Sequence, residues 1–296
     1  MDSGTFKAGA VSPSASIKDT RMQSLKQLVA RAARLTVSQP ILWTPPLGIA
    51  LLSSLMAPQA TPQMGIILLV TALITLAVTA GWYALIAGAD GDQPPVWDDF
   101  FVAIGRHFVP LIGGTIVFGL LVAVVAIPLV VGGASWAGPE ALNKLKDLLP
   151  GLLEQAQTKP EVLLSLDPAL LQAANRFFIG ICGAGLWFAL VSMGLLYWKQ
   201  AVVLGAMSWP EAWKASLTVL RRHFGLSMGV MSVHGVAYMA AAFLSLLPIP
   251  LGLVGWLFLI GVDVFATVAY TLLYLEALPP VKTAESASAT PTGQQS

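Results

Sequence analysis

The sequence predicts an all-α polytopic membrane protein with about six transmembrane helices, arranged as hairpin units each preceded by a cytosolic interfacial amphipathic helix. Three observations carry that expectation. First, 56% of the 296 residues are hydrophobic, only 10% are charged, and the mean hydropathy is +0.76. A soluble domain carries roughly 25% charged residues, so lipid must cover much of this chain's surface. Second, apolar stretches near the ~20 residues that cross a bilayer as a helix recur near 41–58, 64–88, 108–132, 177–203, 225–247 and 250–276. Third, twelve of the sixteen Lys and Arg residues fall on one side of that topology. Cationic loops stay in the cytoplasm, so both termini are expected there.

The elements are taken in chain order. Residues 1–17 are small and polar and read as a disordered tail. Met22, Leu25, Val29, Ala32 and Leu35 keep helical spacing among Lys18, Arg21, Lys26, Arg31 and Arg34. That is a basic amphipathic helix suited to an anionic leaflet. The membrane domain is expected over 18–278, with a disordered tail over 279–296. Pro45 and Pro46 predict a kink or break near the inner end of the first span. Residues 133–176 form a long outer loop, in which Leu142, Leu145, Leu149, Leu152 and Ala156 predict a surface helix. Asp167-Pro168 reads as an N-cap with Pro at the first helical position. No apolar leader core occurs in the first forty residues. Basic residues with few acids there allow a mitochondrial presequence; the Pro- and Ala-rich style favours a bacterial inner membrane.

Two segments align without gaps at an offset of 116 residues. Pro94, Trp97, Arg106, His107, Phe108, Gly113, Val117 and Gly119 match Pro210, Trp213, Arg222, His223, Phe224, Gly229, Val233 and Gly235. Each copy predicts an interfacial helix that ends in Arg-His-Phe and turns into a span. Ser208-Trp-Pro-Glu211 resembles a capping box ahead of the second copy. The basic N-terminal helix reads as a third, degenerate copy. Repeats of this kind suit a transporter and equally the duplication of a stable hairpin. Arg106, His107, Arg222 and His223 either contact lipid phosphate or snorkel at the interface.

The remaining chemistry is sparse. Asp263 is an acid deep in a span and His234 a deep histidine, at matching distances from the turn near Ile249. An intramembrane carboxylate costs about 2.5–3.5 kcal/mol on insertion scales and calls for a partner. The pair is either a proton-linked site, with Asp263 as carrier and His234 as relay, or an interhelical hydrogen bond that fixes packing. Tyr238 and Tyr270 fit either network. Gly225-Leu-Ser-Met-Gly229 has the spacing of a hydrolase elbow, but an elbow needs a strand before the serine. Helix packing accounts for the same glycines. Asp90, Asp92, Asp98 and Asp99 cluster on one loop and serve either as helix-start acids or as cation ligands. Cys182 is the one cysteine, so no intramolecular disulfide or CxxC metal site forms. A net charge of +1 gives no argument for nucleic acid. No cofactor motif and no metal site is expected.

Trp-x8-Arg-His-Phe before a glycine-bearing span, given twice, resembles bacterial six-helix multipass families, as does the ending Pro250, Gly252, Tyr270 and Tyr274. These families include uncharacterised proteins similar to the membrane domain of glycerophosphodiester phosphodiesterases. The resemblance covers roughly residues 20–278 and implies a fold and a location rather than a reaction; the long outer loop departs from it. The expected function is that of a non-enzymatic inner-membrane protein organising lipids, especially anionic phospholipids, or membrane protein partners. The alternative is a small-solute or proton-coupled transporter using the His234–Asp263 pair.

Overall fold

The computed structural model describes residues 24–55, 64–91, 94–158, 167–245 and 250–277. The tails expected at 1–17 and 279–296, Lys18, Arg21, Asp92 and most of the two uncharged turns lie outside them. Among the described residues every regular element is helical. They are α1 (Leu25–Ser38), a 3-10 turn (Pro40–Trp43), α2 (Thr44–Leu55), α3 (Met64–Asp90), α4 (Trp97–Ala137), α5 (Pro139–Thr158), α6 (Pro168–Gly194), α7 (Trp198–Val203), α8 (Trp209–Arg222), α9 (Phe224–Ser245) and α10 (Leu251–Ala277). Five helices are long and apolar enough to cross a membrane, and a sixth crossing exists if α1 and the segment Pro40–Ser54 form one broken span. The chain is an all-α, multi-pass membrane protein.

The first span differs from expectation in where it breaks. The chain turns by 91° between α1 and the segment that starts at Pro40. Pro45 and Pro46 instead sit in the first turn of α2, where a missing N–H costs no intrahelical bond. With 12 residues, α2 rises only about 18 Å. The fourth span starts as its sequence predicts: the Asp167 carboxylate accepts from the Ala169 N–H at 2.9 Å, with Pro168 at the first helical position. The surface helix expected in the outer loop is α5.

The two aligned segments fold differently. In the second, α8 ends at Arg222, His223 leaves helical geometry at φ −118° and ψ 32°, and α9 begins at Phe224. In the first there is no turn: α4 runs unbroken through Arg106 and His107 for 41 residues, a rise of about 62 Å. Gly225 stands where the first segment has Val109, but helix propensity does not account for the difference, since Pro110 of the unbroken copy, a far weaker helix former than glycine, stands where the second has Leu226. Arg221 and Arg222, in the last turn of α8, favour a helix end beside their charge.

Burial divides the spans by depth. At the end where Arg31, Arg106, Lys199 and Arg222 gather, here called the basic end, α3, α7, α8 and α10 share one core. It contains Leu85, Ile86, Tyr197, Val202, Leu272, Leu273 and Tyr274, all but fully buried. Small residues let these elements approach. A Cβ on Gly81 would collide with the Phe100 ring, and one on Gly114 with the Trp198 ring. At the opposite, loop end the spans expose Ile66, Leu68 and Leu69 on α3, Val124 and Ile127 on α4, and Met239 and Phe243 on α9. There the chain forms separate hairpins. In α4–α6, Gly133 and Gly180 meet backbone to backbone, and Trp187 Nε1 donates to Leu121 O at 3.3 Å. In α9–α10, a Cβ on Gly255 would collide with the backbone of Leu244 and Ser245.

Candidate functional site

The α9–α10 hairpin positions the polar pair. Gly255 lets the two helices touch at their loop end, so antiparallel register then brings His234 and Asp263 to one level. His234 Nε2 lies 3.5 Å from Asp263 Oδ1. That is an ion-pair distance rather than a hydrogen bond, and His234 Nε2 makes no hydrogen bond among the described residues. The rings of Tyr238 and Tyr270 approach His234 edge-on, with centroids at 6.1 and 6.4 Å. Tyr270 in turn packs edge-on against Tyr197 at 6.2 Å, and the Tyr197 hydroxyl shares a hydrogen bond of 2.6 Å with Ser227 Oγ. A chain of aromatic and hydroxyl groups thus runs from the pair into the core.

Asp263 does not point into that core. Its side chain is 52% exposed and that of His234 is 30% exposed, so the pair opens on the outer surface of the hairpin. α1 and the 3-10 turn that follows it pack across the same hairpin. Leu25 packs where a Cβ on Gly229 would sit, and the Trp43 ring does the same at Gly261. Gly229 is five residues from His234 and Gly261 two from Asp263, so about 8 and 3 Å along the helix axes separate the pair from these contacts.

The two Arg-His pairs are split by the fold. Arg106 and Arg222 are exposed, whereas His107 is buried and His223 half-buried. Of each pair the arginine is the more exposed member. Burial lowers the His223 pKa below its ordinary value, the nearby Glu276 carboxylate opposes that shift, and Arg222 adds to it. Neither Arg-His pair folds as a unit, which the linear motif does not reveal.

The other sequence features resolve locally. Ser227 of the Gly-x-Ser-x-Gly run is fully buried within α9, with its hydroxyl engaged by Tyr197. Asp90 takes Arg31 at 2.6 Å, tying α1 to the basic end of α3. This contact joins residues 59 apart, and no local sequence signal marks it. Asp98 and Asp99 lie in the first turn of α4, and among the described residues no group of three acids, histidines or cysteines is placed to hold a metal ion. Compared with protein-family profiles, with curated proteins and with solved structures, the chain matches none.

Proposed function

We propose that the chain is a non-enzymatic inner-membrane protein, with its basic end and both termini in the cytoplasm, that organises anionic phospholipids or partner membrane proteins. The observation that carries this reading is the ring of exposed cations at the basic end: Lys26 and Arg34 on α1, Arg106 on α4, and Lys214, Arg221 and Arg222 on α8. On this reading they face the cytoplasmic leaflet, whose surface potential attracts basic segments by about 1 kcal/mol per residue. The test is lipid co-purification from membranes of mixed composition, read by native mass spectrometry. Anionic lipid is expected above its bulk fraction and is expected to fall in the triple variant Arg106→Ala, Arg221→Ala, Arg222→Ala. Bulk composition in both proteins would remove the reading.

The second reading, a proton-coupled transporter, is favoured by one observation, the His234–Asp263 contact at 3.5 Å. It predicts solute or proton flux in reconstituted vesicles that is lost in Asp263→Asn. Equal flux in the two proteins would eliminate the carrier role.

A further inference from the structure

We infer that the outward-facing Asp263 carboxylate, with His234 and Tyr238 beside it, is a lateral binding site for the ammonium headgroup of an aminophospholipid such as phosphatidylethanolamine. The inference rests on the lipid-organising reading above and names a second lipid class for it.

Four observations converge. The carboxylate is half exposed on the outer surface of α9–α10, in a helix long and apolar enough to cross a membrane, where a bare negative charge is costly without a cation. Among the described residues it has no Lys or Arg partner, and His234 contacts it without a hydrogen bond. Neither α9 nor α10 contains a Lys or Arg, so the hairpin itself supplies no permanent cation to the carboxylate. The opening is flanked by apolar and aromatic groups: Met231 and Tyr238, one turn to either side of His234, are both exposed. A site of that character is entered from lipid more readily than from water.

The chemistry selects the headgroup. A primary ammonium donates charge-assisted hydrogen bonds to a carboxylate and is attracted to aromatic faces. Depth selects the source. The contact of Leu25 with Gly229 puts the start of α1, with the exposed Lys26 next to it, about 8 Å from His234 along α9. A lipid whose phosphate lies at the level of α1 thus has its ammonium within reach of Asp263.

The experiment uses the full chain in equimolar phosphatidylethanolamine and phosphatidylglycerol, with bound lipids counted by native mass spectrometry. Wild type is expected to carry phosphatidylethanolamine about threefold above its bulk ratio, the scale of a weak cation–aromatic and carboxylate contact. Asp263→Asn is expected to return that lipid to its bulk ratio, Asp263→Glu to keep the enrichment, and phosphatidylglycerol to stay unchanged in all three. Equal phosphatidylethanolamine binding in wild type and Asp263→Asn overturns the site, while retained phosphatidylglycerol leaves the wider reading standing. A change in oligomeric mass in Asp263→Asn with phosphatidylethanolamine unmoved assigns the face to a second copy and also overturns it. Should the Asn variant misfold, wild type alone decides. Binding that saturates as the phosphatidylethanolamine fraction rises supports the site, and binding that tracks the bulk fraction overturns it.

Discussion

The basic end and the loop end of these spans are built from similar residues and packed by different rules. At the basic end Leu85, Leu272 and Leu273 are sealed against α7, α8 and neighbouring spans. At the loop end residues as apolar, such as Leu68 and Val124, face outward. Hydrophobicity therefore does not decide burial in this chain, because hydrocarbon solvates an apolar side chain about as well as a protein core does. Shape decides it: glycines opposite rings at Gly81 and Gly114, and short helices that fill the gaps between spans.

The largest effect that tests this contrast is truncation of a packed leucine. Leu273→Ala is expected to cost about 2–5 kcal/mol, the range for cavity-forming core substitutions. Leu120→Ala, at an exposed loop-end site, is expected to stay within about 0.5 kcal/mol. Thermal unfolding in detergent compares them, and equal losses would break the contrast. A smaller effect probes the place where the loop end is packed. A Cβ on Gly180 meets the Leu129 carbonyl and the Gly133 backbone, whereas Gly185 faces open space. Gly180→Leu is expected to destabilise the α4–α6 hairpin by about 1–3 kcal/mol and Gly185→Leu to be neutral, as read by hydrogen exchange in α6.

The smallest effect is pH-dependent. Glu211 accepts from the Ser208 N–H at 3.1 Å and from its hydroxyl at 2.6 Å. These bonds hold its carboxyl below the ordinary value of 4.5. A depressed folded-state value means that the stabilisation is complete above the unfolded value and is lost as pH falls through the folded one. The first turn of α8 is thus expected to exchange amide hydrogens faster below about pH 4.5 in wild type. Glu211→Gln is expected to show no such acid-dependent rise, and a rise of the same size there would sink the assignment.

What sequence reading recovers is what is local. The Asp167–Pro168 start of α6 and the Ser208–Glu211 capping box are fixed by neighbours within three residues. The meeting of His234 with Asp263 needs only residue counting from a hairpin turn. Three features required the fold. Arg31 finds Asp90 across 59 residues. The first span breaks before Pro40 because a proline pair in an opening helical turn is harmless there. His107 and His223 share a motif, yet one sits in an unbroken helix and the other at a break.

The 41-residue α4 has a consequence for the membrane around it. Its apolar part, near residues 108–132, rises about 37 Å, against a hydrocarbon layer of about 30 Å. Tilting, bending at Pro110 or Pro128, or local thickening of the bilayer are the ways to keep that surface out of water. The bilayer beside α4 thus meets a mismatch of about 7 Å, at a cost of a fraction of a kcal/mol per Å, that the 22-residue α9 does not impose.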